Sequence, residues 1–279
     1  MLTLEVQGST GHSKIEIGGQ LKDLDKHIPS DRAVIITDTN LWNLYGHAFP
    51  EHPVIKIGLG EKIKTIDTIQ QIYTELLAFE ADRSSYIVGI GGGIVCDITG
   101  YAASTFMRGV RFGFIASTLL AQVDASVGGK NGVNFQGYKH IVGVFNQPEF
   151  VLCDTNLLES LPAGEIACGF AEIVKHGAIG DAALFDYLEA NYTKALALDK
   201  DAIEKAVFDS VKLKAAVVNR DEKEQGERKI LNFGHTFGHA IEKTTGVPHG
   251  VAVSLGMVVA AQLSVKRGLL STAEAERIK

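Results

Sequence analysis

The run YIVGIGGGIVCDITG, residues 86–100, constrains the fold more than any other segment of this chain. Its first half is apolar without alternation, the pattern of a strand buried on both faces. Gly91, Gly92 and Gly93 follow, and a helical pattern resumes directly after them. A strand, a glycine turn and a helix in that order leave unpaired backbone N–H groups where a phosphate can sit. Ile94 occupies the sixth position of what would otherwise be G-x-G-x-x-G, so the turn is read either as a ligand site or as close packing.

The surrounding sequence repeats the same alternation. AVIITD, PVIKIG and FGFIAST read as short strands, and IDTIQQIYTELLAF has a helical period. Such alternation implies an α/β fold with a parallel sheet and helices on both faces. Beyond Pro162 the β signal fades and AGEIACGFAEIVKHGAI, DAALFDYLEANYTKALAL and DAIEKAVFDSVKLKAAVV look helical. The expected organisation is a Rossmann-like α/β domain over 1–157 and an all-α domain over 158–279.

The 279 residues are 46% hydrophobic and 22% charged, a soluble globular composition. A net charge of -6 argues against a nucleic-acid partner. Cys96, Cys153 and Cys168 have no C-x-x-C spacing, which fits reduced thiols in a cytoplasmic protein. The N-terminal MLTLEVQGSTGHSKIEIG alternates like a strand and does not resemble a secretion signal. The charge-free stretch from Val251 to Val265 is short for a membrane span and reads as a buried helix. STAEAERIK ends within a helical pattern without a stop signal, so the chain is expected to be part of a longer one.

Three segments carry chemistry. LNFGHTFGHAIEK and VPHGVAVSLGM place His235 and His239 four apart, on one helical face, with His249 at the start of the next helix. FAEIVKHG sets Glu172 three residues before Lys175, so a carboxylate and an ammonium share a face; Glu172 meeting His235 and His249 would leave positions open on Zn²⁺ for a substrate. STLLAQVDASVGGKNGVNFQGYKH carries Asp124, Lys130, Lys139 and His140 with a second glycine pair, Gly128 and Gly129. Its lysines beside flexible backbone suit a phosphate or carboxylate better than a core, the alternative being a solvated loop with ordinary surface lysines. Lys214, Arg228 and Asn232 add cationic and amide donors nearby in sequence.

Taken together, GGGIVCDITGYAASTFMRG, STLLAQVDASVGGK, FAEIVKHG and LNFGHTFGHAIE followed by HG resemble the 3-dehydroquinate synthases of the sugar phosphate cyclase family. The likeness runs in register from about residue 30 to 265. It implies an NAD-binding α/β domain, a helical domain holding a divalent metal, Zn²⁺ or Co²⁺, and a homodimer. The reaction it implies turns 3-deoxy-D-arabino-heptulosonate 7-phosphate into 3-dehydroquinate and phosphate, in the shikimate pathway to aromatic amino acids. Transient oxidation by NAD, phosphate elimination, reduction and an intramolecular aldol closure make up that reaction.

The resemblance makes Glu172, His235 and His249 the metal ligands and leaves His239 to the substrate, against the simplest reading of the i, i+4 pair. It implies an NAD site of Gly60, Glu61, Lys64, Gly92, Gly93, Asp97, Ser117, Thr118 and Leu120, with Lys130 and Lys139 beside it and Asp38 and Asn40 at the adenosine end. Asp124, Lys130, Lys139, Lys175, Lys214, Arg228 and Asn232 fall where the family grips its substrate. Arg228 and Lys214 are expected on the carboxylate, and Lys130, His239 and Arg108 on the phosphate, with Arg108 reaching into the neighbouring subunit.

Departures are also legible. His140 stands where the family usually has an Asn that serves the phosphate, Ala116-Ser117 replaces Pro-Thr, and the C-terminal lysine of longer members has no counterpart. The rivals are another sugar phosphate cyclase, making an inosose or valiolone, a metal-dependent polyol dehydrogenase of the glycerol dehydrogenase type, and a non-catalytic homologue. Arg228, Asn232 and His239 together favour a carboxylate-bearing substrate.

Overall fold

The computed structural model describes residues 1–28 and 32–279, and its contacts divide the chain into two units, Met1–Glu159 and Ser160–Lys279. The first unit is built on a seven-stranded sheet. Its segments in chain order are β1 (Leu2–Gly8), β2 (Gly11–Ile17), β3 (Ala33–Asp38), α1 (Thr39–Tyr45), β4 (Val54–Ile57), α2 (Ile66–Ala78), β5 (Tyr86–Gly91), α3 (Gly93–Thr105) and β6 (Arg111–Ala116). A hairpin of β7 (Lys130–Phe135) and β8 (Tyr138–Phe145) follows, and β9 (Phe150–Cys153) returns to the sheet.

The strand order is β1-β2-β9-β6-β5-β3-β4, and every neighbouring pair is parallel except β1 with β2. The N-terminal alternation is therefore two strands folded on each other at Ser9 and Thr10 rather than one. All six residues of β5 are buried, as its unbroken apolar run requires of a central strand. Tyr86, Val88 and Ile90 of β5 pack with Ile35, Ile115, Phe150 and Leu152 from its neighbours. Each such side chain contributes roughly 1.5–3 kcal/mol when fully buried.

The polar segment from Ser117 to His140 takes regular structure rather than that of a solvated loop. Ala121–Ala125 forms one π-helical turn, and β7 and β8 pair antiparallel from Lys130 with Phe145 to Val133 with Val142, then resume at Phe135 with Tyr138 after a register shift between Val133 and Phe135. Gln136 and Gly137 connect them, both at positive φ (49° and 82°), which is a type I′ turn whose twist matches the flanking strands. Asn131 anchors the hairpin: it is buried, donates from Nδ2 to the carbonyls of Gly129 and Asn146, and lies so close to Gly100 of α3 that any Cβ there would collide with it.

The second unit is helical: α4 (Ala163–Gly180), α5 (Ala182–Leu196), α6 (Lys200–Arg220), α7 (His235–Thr245), α8 (His249–Lys266) and α9 (Thr272–Ile278). By length and composition alone α8 could cross a membrane, and a third of it is buried in the unit. The expectation of a buried helix is thus corrected. One face, with Gly250, Val253, Met257 and Ala261, is buried, while Val251, Leu255, Val259 and Leu263 line an exposed one. Apolar residues on both faces hide this sidedness from hydropathy.

Candidate functional site

In the first unit, the residues implied for NAD converge on one edge of the sheet because they follow the carboxyl ends of four adjacent strands, β6, β5, β3 and β4. That edge is where open parallel sheets receive ligands. Asp38 ends β3 and caps α1, its carboxylate accepting from Leu41 N at 2.8 Å; Asn40 is exposed on the first turn of α1. Gly60, at φ 77°, opens a short 3-10 turn holding Glu61, and Lys64 follows it. Gly92 caps α3 with no side chain, Ser117 N donates to Gly91 O, and Thr118 Oγ1 accepts from Ala121 N at 3.1 Å, with Leu120 in that turn.

The glycine turn fits a phosphate. A Cβ on Gly93 would lie 2.8 Å from Ala125 Cβ, and one on Gly92 3.0 Å from Thr118 Cγ2, so side chains there would fill the space before the α3 N-terminus. Below it Lys64, 2% exposed, forms an ion pair with Asp97 on α3. Burial pushes the Asp97 carboxyl up to about 6, against the pull of the Lys64 charge. Asp124 lies in the π-helical turn, and Lys130, Lys139 and His140 are exposed on β7 and β8. Arg108 is exposed at φ 71°, beside Met107 at φ 49°, a left-handed pair that stores strain in the turn before β6.

The second unit brings together three groups far apart in sequence. Glu172 on α4 is fully buried; His235 and His249 open α7 and α8. Each offers one ligand atom, and the three atoms lie within 4.8 Å of one another. Two glycine contacts set this distance. Gly250, beside His249, meets the α4 backbone at Cys168, where a Cβ would sit 2.3 Å from Cys168 Cα, one helical turn before Glu172. Gly256 of α8 meets Gly234, beside His235, where a Cβ would sit 2.0 Å from the Gly234 carbonyl oxygen.

Both imidazoles have Nδ1 against an acceptor: His235 beside Phe233 O at 3.3 Å, His249 beside Glu242 Oε2 at 3.0 Å. A carbonyl or carboxylate can only accept, so Nδ1 carries the proton and Nε2 keeps the lone pair a metal needs. His235 Nε2 is 3.8 Å from Glu172 Oε1. Two imidazole nitrogens and a carboxylate, with their second nitrogens bonded outward, fit a zinc- or cobalt-type cation with room for substrate.

His239, Glu242 and His249 form an overlapping group, but Glu242 already holds His249 Nδ1 there, and His239 is exposed. Glu242 was not anticipated, although its place three residues after His239 puts it on the His-bearing side of α7. Lys175 pairs with Glu172 Oε2. His176, also buried, has Nδ1 2.7 Å from Ser210 Oγ on α6. Lys214 and Arg228 are buried cations; Arg228 donates from NH1 to Glu222 O, and its N–H to Asp221 Oδ2 at 2.9 Å. Asn232 is exposed and donates to Glu224 Oε1 at 2.5 Å.

A cleft of about 580 Å³ lined by Arg83, Arg111, Gln147 and Glu149 lies at the opposite, amino end of β6. There Arg111 is held by Glu149 at 2.6 and 2.8 Å.

Comparison with known proteins gives a consistent picture. Residues 54–168 match the model of the 3-dehydroquinate synthase N-terminal domain, and 169–279 that of the C-terminal domain. A 3-dehydroquinate synthase from Halorhodospira halophila is 44% identical over 261 residues, covering 91% of this chain and 74% of that protein. The structure of a 2-deoxy-scyllo-inosose synthase complexed with carbaglucose-6-phosphate, NAD⁺ and Co²⁺ superimposes with a TM-score of 0.85 at 26% identity, over 99% of this chain and 79% of that one. The 2-epi-5-epi-valiolone synthase from Streptomyces hygroscopicus, with NAD⁺ and Zn²⁺ bound, gives 0.87 at 26% identity, over 100% and 81%.

Proposed function

Because the chain belongs to the 3-dehydroquinate synthase family, we propose that Glu172, His235 and His249 hold its catalytic divalent cation and that the carboxyl edge of the first-unit sheet holds its NAD. The protein is a phosphate-eliminating cyclase that converts 3-deoxy-D-arabino-heptulosonate 7-phosphate to 3-dehydroquinate and phosphate, the shikimate-pathway step toward aromatic amino acids. The Glu172–His235–His249 group carries this reading. The inosose and valiolone synthases share the fold at 26% identity, against 44% for the 3-dehydroquinate synthase.

When bound, NAD supplies a transient oxidation and its reversal, and the cation supplies Lewis-acid polarisation of a substrate hydroxyl. The chain's own groups bind and orient. Glu242 and the Phe233 carbonyl hold the two imidazoles in one tautomer, and Lys175 balances the buried charge of Glu172. Arg228 and Lys214, buried in the second unit, suit the substrate carboxylate, with Asn232 and His239 as further contacts. In the first unit Asp124, Lys130 and Lys139 serve the substrate, and the chain works as a cytoplasmic homodimer in which Arg108 reaches the neighbouring subunit.

The test is phosphate release from 3-deoxy-D-arabino-heptulosonate 7-phosphate with catalytic NAD⁺, with and without chelator and added Zn²⁺ or Co²⁺. Release that needs both, with no NADH accumulating, is expected. Arg228→Ala should raise KM for this substrate about tenfold or more, the loss expected for a charge-assisted contact. Unchanged kinetics would remove Arg228 from the carboxylate site.

A further inference from the structure

His140 stands where the family resemblance implies an Asn serving the phosphate, yet its side chain is engaged elsewhere. Its Nδ1 lies 3.3 Å from Lys64 Nζ, the ammonium paired with Asp97. An ammonium only donates, so Nδ1 presents its lone pair and the proton sits on Nε2. The backbone of His140 is committed in the same direction. At φ 56° it is left-handed, a conformation uncommon for residues other than glycine, and its N–H donates to Asn134 Oδ1 at 3.1 Å. Asn134 in turn donates from Nδ2 to Glu61 Oε1 at 2.6 Å and from its backbone to Lys64 O at 2.8 Å. The imidazole thus meets Lys64, which is paired with Asp97, and the hairpin meets Glu61 through Asn134; all three belong to the proposed NAD edge.

We infer that His140 is a positioning residue for the cofactor: it fixes the Lys64 ammonium beside Asp97 and ties the β7–β8 hairpin to the NAD edge. It does not take the phosphate-binding role that its place in the motif implies. This rests on the reading of Lys64 and Asp97 as NAD-site groups.

The experiment is calorimetric titration of the metal-loaded protein with NAD⁺, using His140→Ala, Lys64→Met and the double variant. His140→Ala should weaken NAD⁺ binding about three- to tenfold, the range of one net hydrogen bond. In the Lys64→Met background the same change should have less than about a twofold effect, since coupled groups are not additive. Equal losses in both backgrounds, or a raised substrate KM with NAD⁺ affinity intact, would overturn the inference. NAD⁺ binding unaffected by Lys64→Met would instead sink the cofactor-site reading and the inference with it. Independently of any variant, ¹⁵N spectra of the unaltered protein should give His140 protonated on Nε2; a ring protonated on Nδ1 would also overturn the inference.

Discussion

Gly92 and Gly93 in the first unit and Gly250 and Gly256 in the second all adjoin proposed ligand-binding residues, but what crowds them differs. In the first unit the nearest atoms to an added Cβ are side-chain carbons of Thr118 and Ala125. In the second they are main-chain atoms of Cys168 and Gly234, at 2.3 and 2.0 Å. Thr118 Cγ2, opposite Gly92, can give way by rotation, whereas Ala125 Cβ, opposite Gly93, is fixed to its backbone and yields little more than main chain does. Glycine thus keeps room before a helix N-terminus in one unit, and in the other lets helices touch so closely that ligand positions follow from backbone contact.

The largest expected effect tests that contrast directly. Gly250→Ala should destabilise the protein by about 3 kcal/mol or more, the upper range for overpacking, and lose its zinc affinity. Denaturant unfolding and zinc titration would measure it, and native-like values would dissolve the distinction. Gly92→Ala, whose Cβ would meet the rotatable Thr118 Cγ2 at 3.0 Å, should shift stability by less than about 1 kcal/mol and weaken NAD⁺ binding about tenfold, as a methyl group enters the phosphate space. A stability loss matching that of Gly250→Ala would show that both glycines serve packing.

The smallest effect concerns the buried ion pairs, Lys64–Asp97 and Lys175–Glu172. Asp97, with its carboxyl pushed up to about 6, binds a proton more tightly folded than unfolded. Its contribution is thus greatest below about pH 4 and is lost as pH rises through about 6. Between these values Asp97→Asn should flatten the fall in stability with rising pH by on the order of 1 kcal/mol. Parallel profiles for the native and variant proteins would place the titration elsewhere.

The α/β order of the first unit and the helices of the second were legible because their apolar periods are local. Glu172, His235 and His249 stood out as residue types, but spacing alone favoured the His235–His239 pair; the contact of α8 with α4 that selects His249 is long-range. The β7–β8 hairpin was not legible. Its interior glycines, Gly132 and Gly143, weaken a strand signal, and its turn is Gln136-Gly137 rather than Asn-Gly. Glu242 passed unnoticed because its role depends on where α8 begins.

On α8, Val251, Leu255, Val259 and Leu263 recur every four residues and are 41, 48, 39 and 39% exposed. In dilute buffer the net charge of -6 per chain opposes non-specific association. Salt screens that repulsion, and sulfate or phosphate salts also strengthen the tendency of an apolar line to leave water. Both changes act in the same direction, so this protein should salt out earlier than its charge and composition suggest, with the α8 line as the first surface to desolvate.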